Sequence, residues 1–256
     1  MSLRLAKQII YGVFYLLVWS GLIAGVYFLF LKPAPSCFDK IQNQDEAGVD
    51  CGGSCNKVCV PKEIREIELV GHVLTFPIDK NHSSLLAQIK NPNFAYAARN
   101  FKYTFSFYDT NGQIVKSFEG RSFIYASEIK YILVPNAELN IQGSLSRIDF
   151  AVRDIEWDSA DNFRGPPIIV SQDFKTSIQG KNLFVEGRMT NNDTITFPDT
   201  TVIAIFSGNF GQTAGASETA VNNLSPNESR PFSILYPLLE NINVSNTKIF
   251  IYAKRQ

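Results

Sequence analysis

Cys37, Cys51, Cys55 and Cys59 are the chain's four cysteines. A thiolate can ligate zinc, run redox chemistry or close a disulfide, and spacing separates these uses. The gaps are thirteen, three and three residues. Zinc modules favour paired C-x2-C units set far apart, and thioredoxin-like chemistry wants C-x-x-C in a βαβ context. Neither pattern is present. An even count confined to one short segment, with no cysteine in the remaining chain, reads as two disulfides made in an oxidising compartment. Three pairings satisfy the sequence equally.

Oxygen ligands crowd the same segment. Asp39, Asn43, Asp45, Glu46 and Asp50 lie within twelve positions. Hard donors at that density are calcium chemistry, although the EF-hand order of ligands is missing. The competing use is turn formation: Asn and Asp bond the backbone two residues on, and Gly48, Gly52 and Gly53 supply positive φ. No other metal or cofactor is expected.

Elsewhere the chemistry is sparse. The two histidines are His72, in the apolar strand-like run ELVGHVLTF, and His82, in the turn-like DKNHSS. No G-x-S-x-G, H-E-x-x-H or P-loop signature occurs, so no catalytic residue is expected and the chain reads as a non-enzyme. Lys+Arg and Asp+Glu are both 24, with no basic run, which argues against nucleic acid as a partner. Twenty Phe and ten Tyr argue for folded domains over low-complexity disorder. Sequons stand at Asn81, Asn192, Asn223, Asn227 and Asn243. They matter only in a host that glycosylates.

The elements that must position these groups begin with a membrane span. Residues 9–31 carry no charge and are flanked by Lys7 and Lys32. As a helix the run is roughly 34 Å long, enough for a hydrocarbon core of about 30 Å. A cleaved signal peptide has a shorter apolar region, and Pro35 spoils the cleavage site. A lipidated Cys37 is disfavoured by Ala34 and Lys32. The expectation is an uncleaved anchor, residues 1–8 inside and the rest outside, with lipid as partner. Flanking positive charge gives this orientation only slight support, and the oxidisable cysteines give more. Gly21 and Gly25 form a G-x-x-x-G face on which a second helix could pack.

The stretch from Cys37 to Cys55 resembles a small Cys-rich motif of bacterial extracytoplasmic proteins, of the form CxDGIxNxxExGxDCGGxC. Lys40 departs from it, standing where Gly is usual. The resemblance implies an outside location and a stalk or module junction, and no catalysis.

From residue 63 the period becomes two. Phe101, Tyr103, Phe105 and Phe107 alternate and would line one buried face, and Asp109–Gly112 makes a turn. Further short runs follow, without a long helical period, which predicts a sandwich or barrel. A second set from residue 167 echoes the first. Asn191 follows Asn91 by 100 positions, and Glu228-x-Arg230 follows Glu128-x-Lys130 by the same interval. Phe105-Ser-Phe-Tyr-Asp109 resembles the signature of the FxLYD family, small β-sandwich domains of bacterial surface proteins. The resemblance covers residues 63–157 well and 167–256 loosely, and implies an immunoglobulin-like fold.

The expected organisation is all-β: a tail (1–8), a transmembrane helix (9–31), a disulfide spacer (32–62), a sandwich (63–157), a linker (158–166) and a second sandwich (167–256). A polar linker predicts halves that fold separately and couple weakly, with Trp157 packed at a domain edge. The expected role is an envelope protein that presents two interaction modules to an unidentified protein partner. The alternatives are an accessory subunit of a surface or secretion assembly, and a calcium or solute sensor.

Overall fold

The protein is described by a computed structural model covering residues 3–27, 36–43, 45–55, 59, 64–139, 145–238 and 242–255. It divides into two compact units, residues 1–59 and 60–256.

The first unit opens with helix α1, Leu3–Val26. Its segment Lys7–Val26 has a mean hydropathy of 2.0 and no buried residue. It is long and apolar enough to cross a membrane. Large side chains such as Leu16 and Ile23 stand open on its surface. The Ser20 hydroxyl donates to the Leu17 carbonyl at 2.9 Å, which satisfies a polar group inside the apolar run. Residues 3–8, expected as tail, already belong to this helix, and residues 28–35 lie outside the described residues.

The second unit is built of strands. They are β1 (Glu68–Leu69), β2 (Leu74–Pro77), β3 (His82–Lys90), β4 (Tyr96–Asp109), β5 (Ile114–Ile124), β6 (Ile129–Glu138) and β7 (Leu145–Ser159), then β8 (Ile169–Gln179), β9 (Asn182–Asn191), β10 (Phe197–Gly208), β11 (Thr213–Leu224), β12 (Ser229–Pro237) and β13 (Ile242–Ala253). In the first half, β3 pairs with β1, β2 and β6, and β4 lies between β5 and β7. In the second, β9 lies between β8 and β12, and β10 between β11 and β13. All pairs are antiparallel. Each half is therefore two sheets closed over a core, the expected all-β sandwich arrangement.

Alternation explains the first core. Phe101, Phe105 and Phe107 of β4 are fully buried, and Tyr103 is half-buried beside them. Phe105 meets Phe150 of β7 edge-on at 5.0 Å. The β4–β5 hairpin closes as its residues require: Asp109 Oδ1 accepts from the Asn111 and Gln113 amides, and Gly112 takes φ of 77°. Val202, Ala204 and Phe206 of β10 fill the second core in the same way.

Asn91 and Asn191 make matching buried corners. Asn91 Nδ2 donates to the carbonyls of Tyr96 and Tyr125, and Asn191 Nδ2 to those of Ile195 and Leu224. Each Oδ1 accepts from the amide two residues on, at Asn93 and Asp193. A buried amide satisfied on both ends fixes the chain reversal after β3 and after β9.

Two sequence expectations need correction. The run ELVGHVLTF is not one strand: Gly71, with φ of 75°, breaks it between β1 and β2, and His72 is exposed in the break. His82 starts β3 and does not sit in the turn, and its Nδ1 lies 2.9 Å from Asp79.

The halves also share far more than a connector. The outer face of the β2–β3–β6 sheet packs on the outer face of the β11–β10–β13 sheet. Phe76, Leu86 and Leu133 from the first half meet Ile203, Ile205 and Ala216 from the second, all buried. Full burial of one such large aliphatic side chain contributes about 1.5–3 kcal/mol. Within the stretch expected as linker, β7 runs to Ser159 and the Ala160 amide bonds the Ala95 carbonyl. Phe163 is buried there and stacks on Tyr125 at 4.7 Å. Weak coupling through a polar link does not describe this arrangement.

Candidate functional site

Among the described residues, two places matter most for chemistry. The first is the cysteine segment. Cys37 bonds Cys55 and Cys51 bonds Cys59, which resolves the three open pairings. Asp39 and Glu46 bond nearby turn amides, and Asp45 and Asp50 tie together parts of the segment nine and ten positions apart. Asp39 accepts from the amides of Ser36 and Ile41 and from Asn43 Nδ2. The Ser36 bond first, then the Asn43 bond, lowers its pKa. Asp45 accepts from the Ser54 hydroxyl at 2.7 Å, and this bond lowers its pKa too. Both Asp50 oxygens accept from the Lys40 amide, and Glu46 Oε2 accepts from the Asn43 amide. Backbone amides thus engage Asp39, Glu46 and Asp50, and a side-chain hydroxyl engages Asp45. The buried Asn43 Oδ1 has no hydrogen-bond partner among the described residues. Among the described residues, Cys37, Glu46 and Cys55 alone meet ligand spacing as a group, and both of its sulfurs are consumed in one disulfide.

The glycines divide differently from expectation. Gly52 and Gly53 take positive φ, but Gly48 does not. Gly48 serves close approach, since a Cβ there would lie 2.9 Å from the Cys51 sulfur. Lys40 and Asp50 occupy the left-handed region as well, at 62° and 53°. Lys40, the residue that departs from the resembled motif, therefore holds a conformation that favours glycine. In α1, a Cβ added at Gly21 or Gly25 would meet nothing within 4 Å.

The second place is the seam between the sandwiches. The Tyr125 hydroxyl donates to the Ala253 carbonyl at 2.9 Å and accepts from the Arg255 amide at 2.9 Å. The Tyr131 amide donates to the Tyr252 hydroxyl at 3.1 Å. Arg255 forks onto the Asp193 carboxylate. Burial pushes Asp193 up, but the Arg255 bond and two backbone donors carry it below the usual range. Burial pushes Tyr125 up to about 12.

Lys130 of β6 is 4% exposed. Its Nζ donates to the Phe123 carbonyl at 2.9 Å, sits 3.3 Å from the Phe123 ring centroid and lies 5.0 Å from that of Tyr252. Burial drives its pKa down to about 7, against the pull of Glu128. Burial raises Glu128 in turn, with Lys130 opposing. Beside Lys130 the seam opens into a crevice of about 220 Å³ lined by Tyr103, Arg121, Tyr131, Thr201, Glu218 and Tyr252, among others. Burial alone pushes Glu218 up to about 7.

Sequence reasoning singled out Glu128 and Lys130 only as a repeat echo and Tyr103 only as a core position, and it missed Glu218 and Tyr252. One signal was present: VIAIF in β10 is a continuous apolar run, the mark of a strand buried on both faces. Nothing local marks Glu218 or Tyr252, which meet the first half only in three dimensions. Trp157, expected at a domain edge, is half-buried on β7 and packs against the first core.

Comparison with known proteins leaves the family open. No family description matches the chain, and no curated protein matches it. Among solved structures, red sea bream transglutaminase is similar over 73% of this chain and 32% of that one, at 7% identity and a TM-score of 0.22. The chain thus spans about a third of that protein's length.

Proposed function

We propose that the protein is a single-pass envelope protein that holds its two sandwiches outside the cytoplasm as non-catalytic interaction modules, with a protein partner in the envelope. The observation that carries this reading is the pairing of a bare apolar helix with a twice-disulfide-bonded segment soon after it. Disulfides persist in oxidising compartments, which favours an N-terminus inside and the sandwiches outside. Retention of the helix as an anchor, and not its removal as a signal, accords with its length. The non-catalytic reading draws support from the histidines: His72 is exposed in a chain bend, and His82 is engaged by Asp79. A reporter active only outside the cytoplasm, fused after Gln256, is expected to be active. One that works only inside is expected to be silent, and the reverse pattern would end this reading. A second reading, an accessory subunit joined to a larger assembly through its membrane helix, rests on the G-x-x-x-G spacing of Gly21 and Gly25 within α1. Cross-linking from that face to another protein's helix would support it.

A further inference from the structure

We propose that the seam crevice binds a small molecule carrying a primary ammonium group, with Glu218 as its counter-charge and Tyr103, Tyr131 and Tyr252 as its walls. The inference goes beyond the envelope reading and does not depend on membrane topology, so either can fail alone.

The geometry starts with strand parity. Glu218 lies two residues from Ala216 on β11, and Ala216 is part of the buried seam. Glu218 therefore points toward the first half. It is not exposed, and among the described residues no donor bonds it and no cation pairs with it. Carboxylates are seldom drawn out of water without a partner. The seam spends no protein cation on this one, although the cavity has room of about 220 Å³ in front of it.

The surrounding groups define what fits. Tyrosine rings attract cations through their faces and accept hydrogen bonds through their hydroxyls. Thr201 adds a hydroxyl to the lining. Arg121 is exposed at the crevice; its charge helps lower the pKa of Asp154, whose carboxylate is paired directly with Lys102. A ligand with an ammonium at one end and a carboxylate at the other would use both charges. Lys130 is the competing cation in the lining. Its burial leaves it largely neutral above about pH 7, the range in which Glu218 is ionised. Glu128, the remaining carboxylate near Lys130, accepts from the Tyr125 amide. Recognition of an ammonium should therefore strengthen as pH rises through 7, because Glu218 gains its charge while Lys130 loses its own.

The test is calorimetric titration of the full chain in detergent with three probes: n-propylamine, propionate and 4-aminobutanoate. At pH 8, 4-aminobutanoate should bind in the millimolar range, n-propylamine more weakly, and propionate not at all at ~10 mM. Glu218→Gln should weaken both amines by about tenfold or more. Arg121→Gln should bring 4-aminobutanoate down to the affinity of n-propylamine. At pH 6 the wild-type protein should bind both amines about tenfold more weakly than at pH 8. A melting curve must show that Glu218→Gln is folded. If it is not, Glu218→Asp, which keeps the charge but shortens its reach, must weaken the amines several-fold. Binding of propionate but not the amines, unchanged amine affinity in a folded Glu218 variant, or no amine binding at pH 8 would each overturn the proposal.

Discussion

Glu128-x-Lys130 and Glu228-x-Arg230 hold equivalent places at the start of β6 and β12, yet they live in different surroundings. Both glutamates accept an amide three residues back, from Tyr125 and Ser225. Both cations reach the end of the preceding strand, Lys130 to the Phe123 carbonyl and Arg230 to those of Asn222 and Asn223. In the second half the pair is open to water, and the bonds from Ser225 and Arg230 lower the Glu228 pKa. In the first half, Tyr252 and the end of β13 close over it, and burial raises Glu128 and lowers Lys130. The same local device becomes a surface ion pair or a buried titrating pair according to what docks on it.

The central strands differ in the same sense. Counted back from matching hairpin bonds, Asp109 N to Gln113 O and Gly208 N to Gln212 O, Thr104 and Ser106 correspond to Ile203 and Ile205. Strand β4 alternates because its outer face meets water. Strand β10 does not, because its outer face meets the first sandwich.

The largest expected effect lies in the interior. Phe105→Ala removes a fully buried ring and should cost about 3–5 kcal/mol in chemical denaturation. Next is a swap across the comparison. Ile205→Ser should cost about 2–4 kcal/mol through lost seam burial and an added buried hydroxyl. The mirror change, Ser106→Ile on the partly exposed β4 face, should stay within about 0.5 kcal/mol. Equal costs for the two would mean that the seam contributes no stability.

The titrating pair predicts a smaller effect with a definite sign. The folded pKa of Lys130, about 7, lies below its ordinary 10.5, so the unfolded chain holds the extra proton between those values. Stability should therefore rise with pH from about 7 toward 10.5, and the gain should disappear as pH falls through 7. Lys130→Met should flatten this rise, by roughly 1–2 kcal/mol between pH 7 and 9. Arg230→Met should leave the slope unchanged. Melting at a series of pH values reads both.

The smallest effect concerns Lys40. Glycine there should relieve the cost of a left-handed residue, about 1 kcal/mol. Exchange of the bridged amides of Cys51 and Cys55 should then slow several-fold.

How much was legible follows from where information is local. The β4 alternation, the Asp109–Gly112 turn and the matching asparagines are short-range patterns, and they appear in the fold as read. The cysteine segment was legible as a staple, but its pairing was not, because pairing depends on how the turns close. The seam was hidden for the same reason. Ile203, Glu218, Lys130 and Tyr252 lie on separate strands of two halves, and only the packing of one sheet face on another unites them. The polar look of residues 158–166 masked Phe163, a single aromatic that docks beside Tyr125.

The central claim is that the buried seam joins the sandwiches into one cooperative body. Scanning calorimetry of the full chain, wild type and Phe105→Ala, tests it most directly. One unfolding transition for the strands, shifted as a whole by the change, is the predicted result. Two transitions, with the change moving one and leaving the other in place, would contradict the claim.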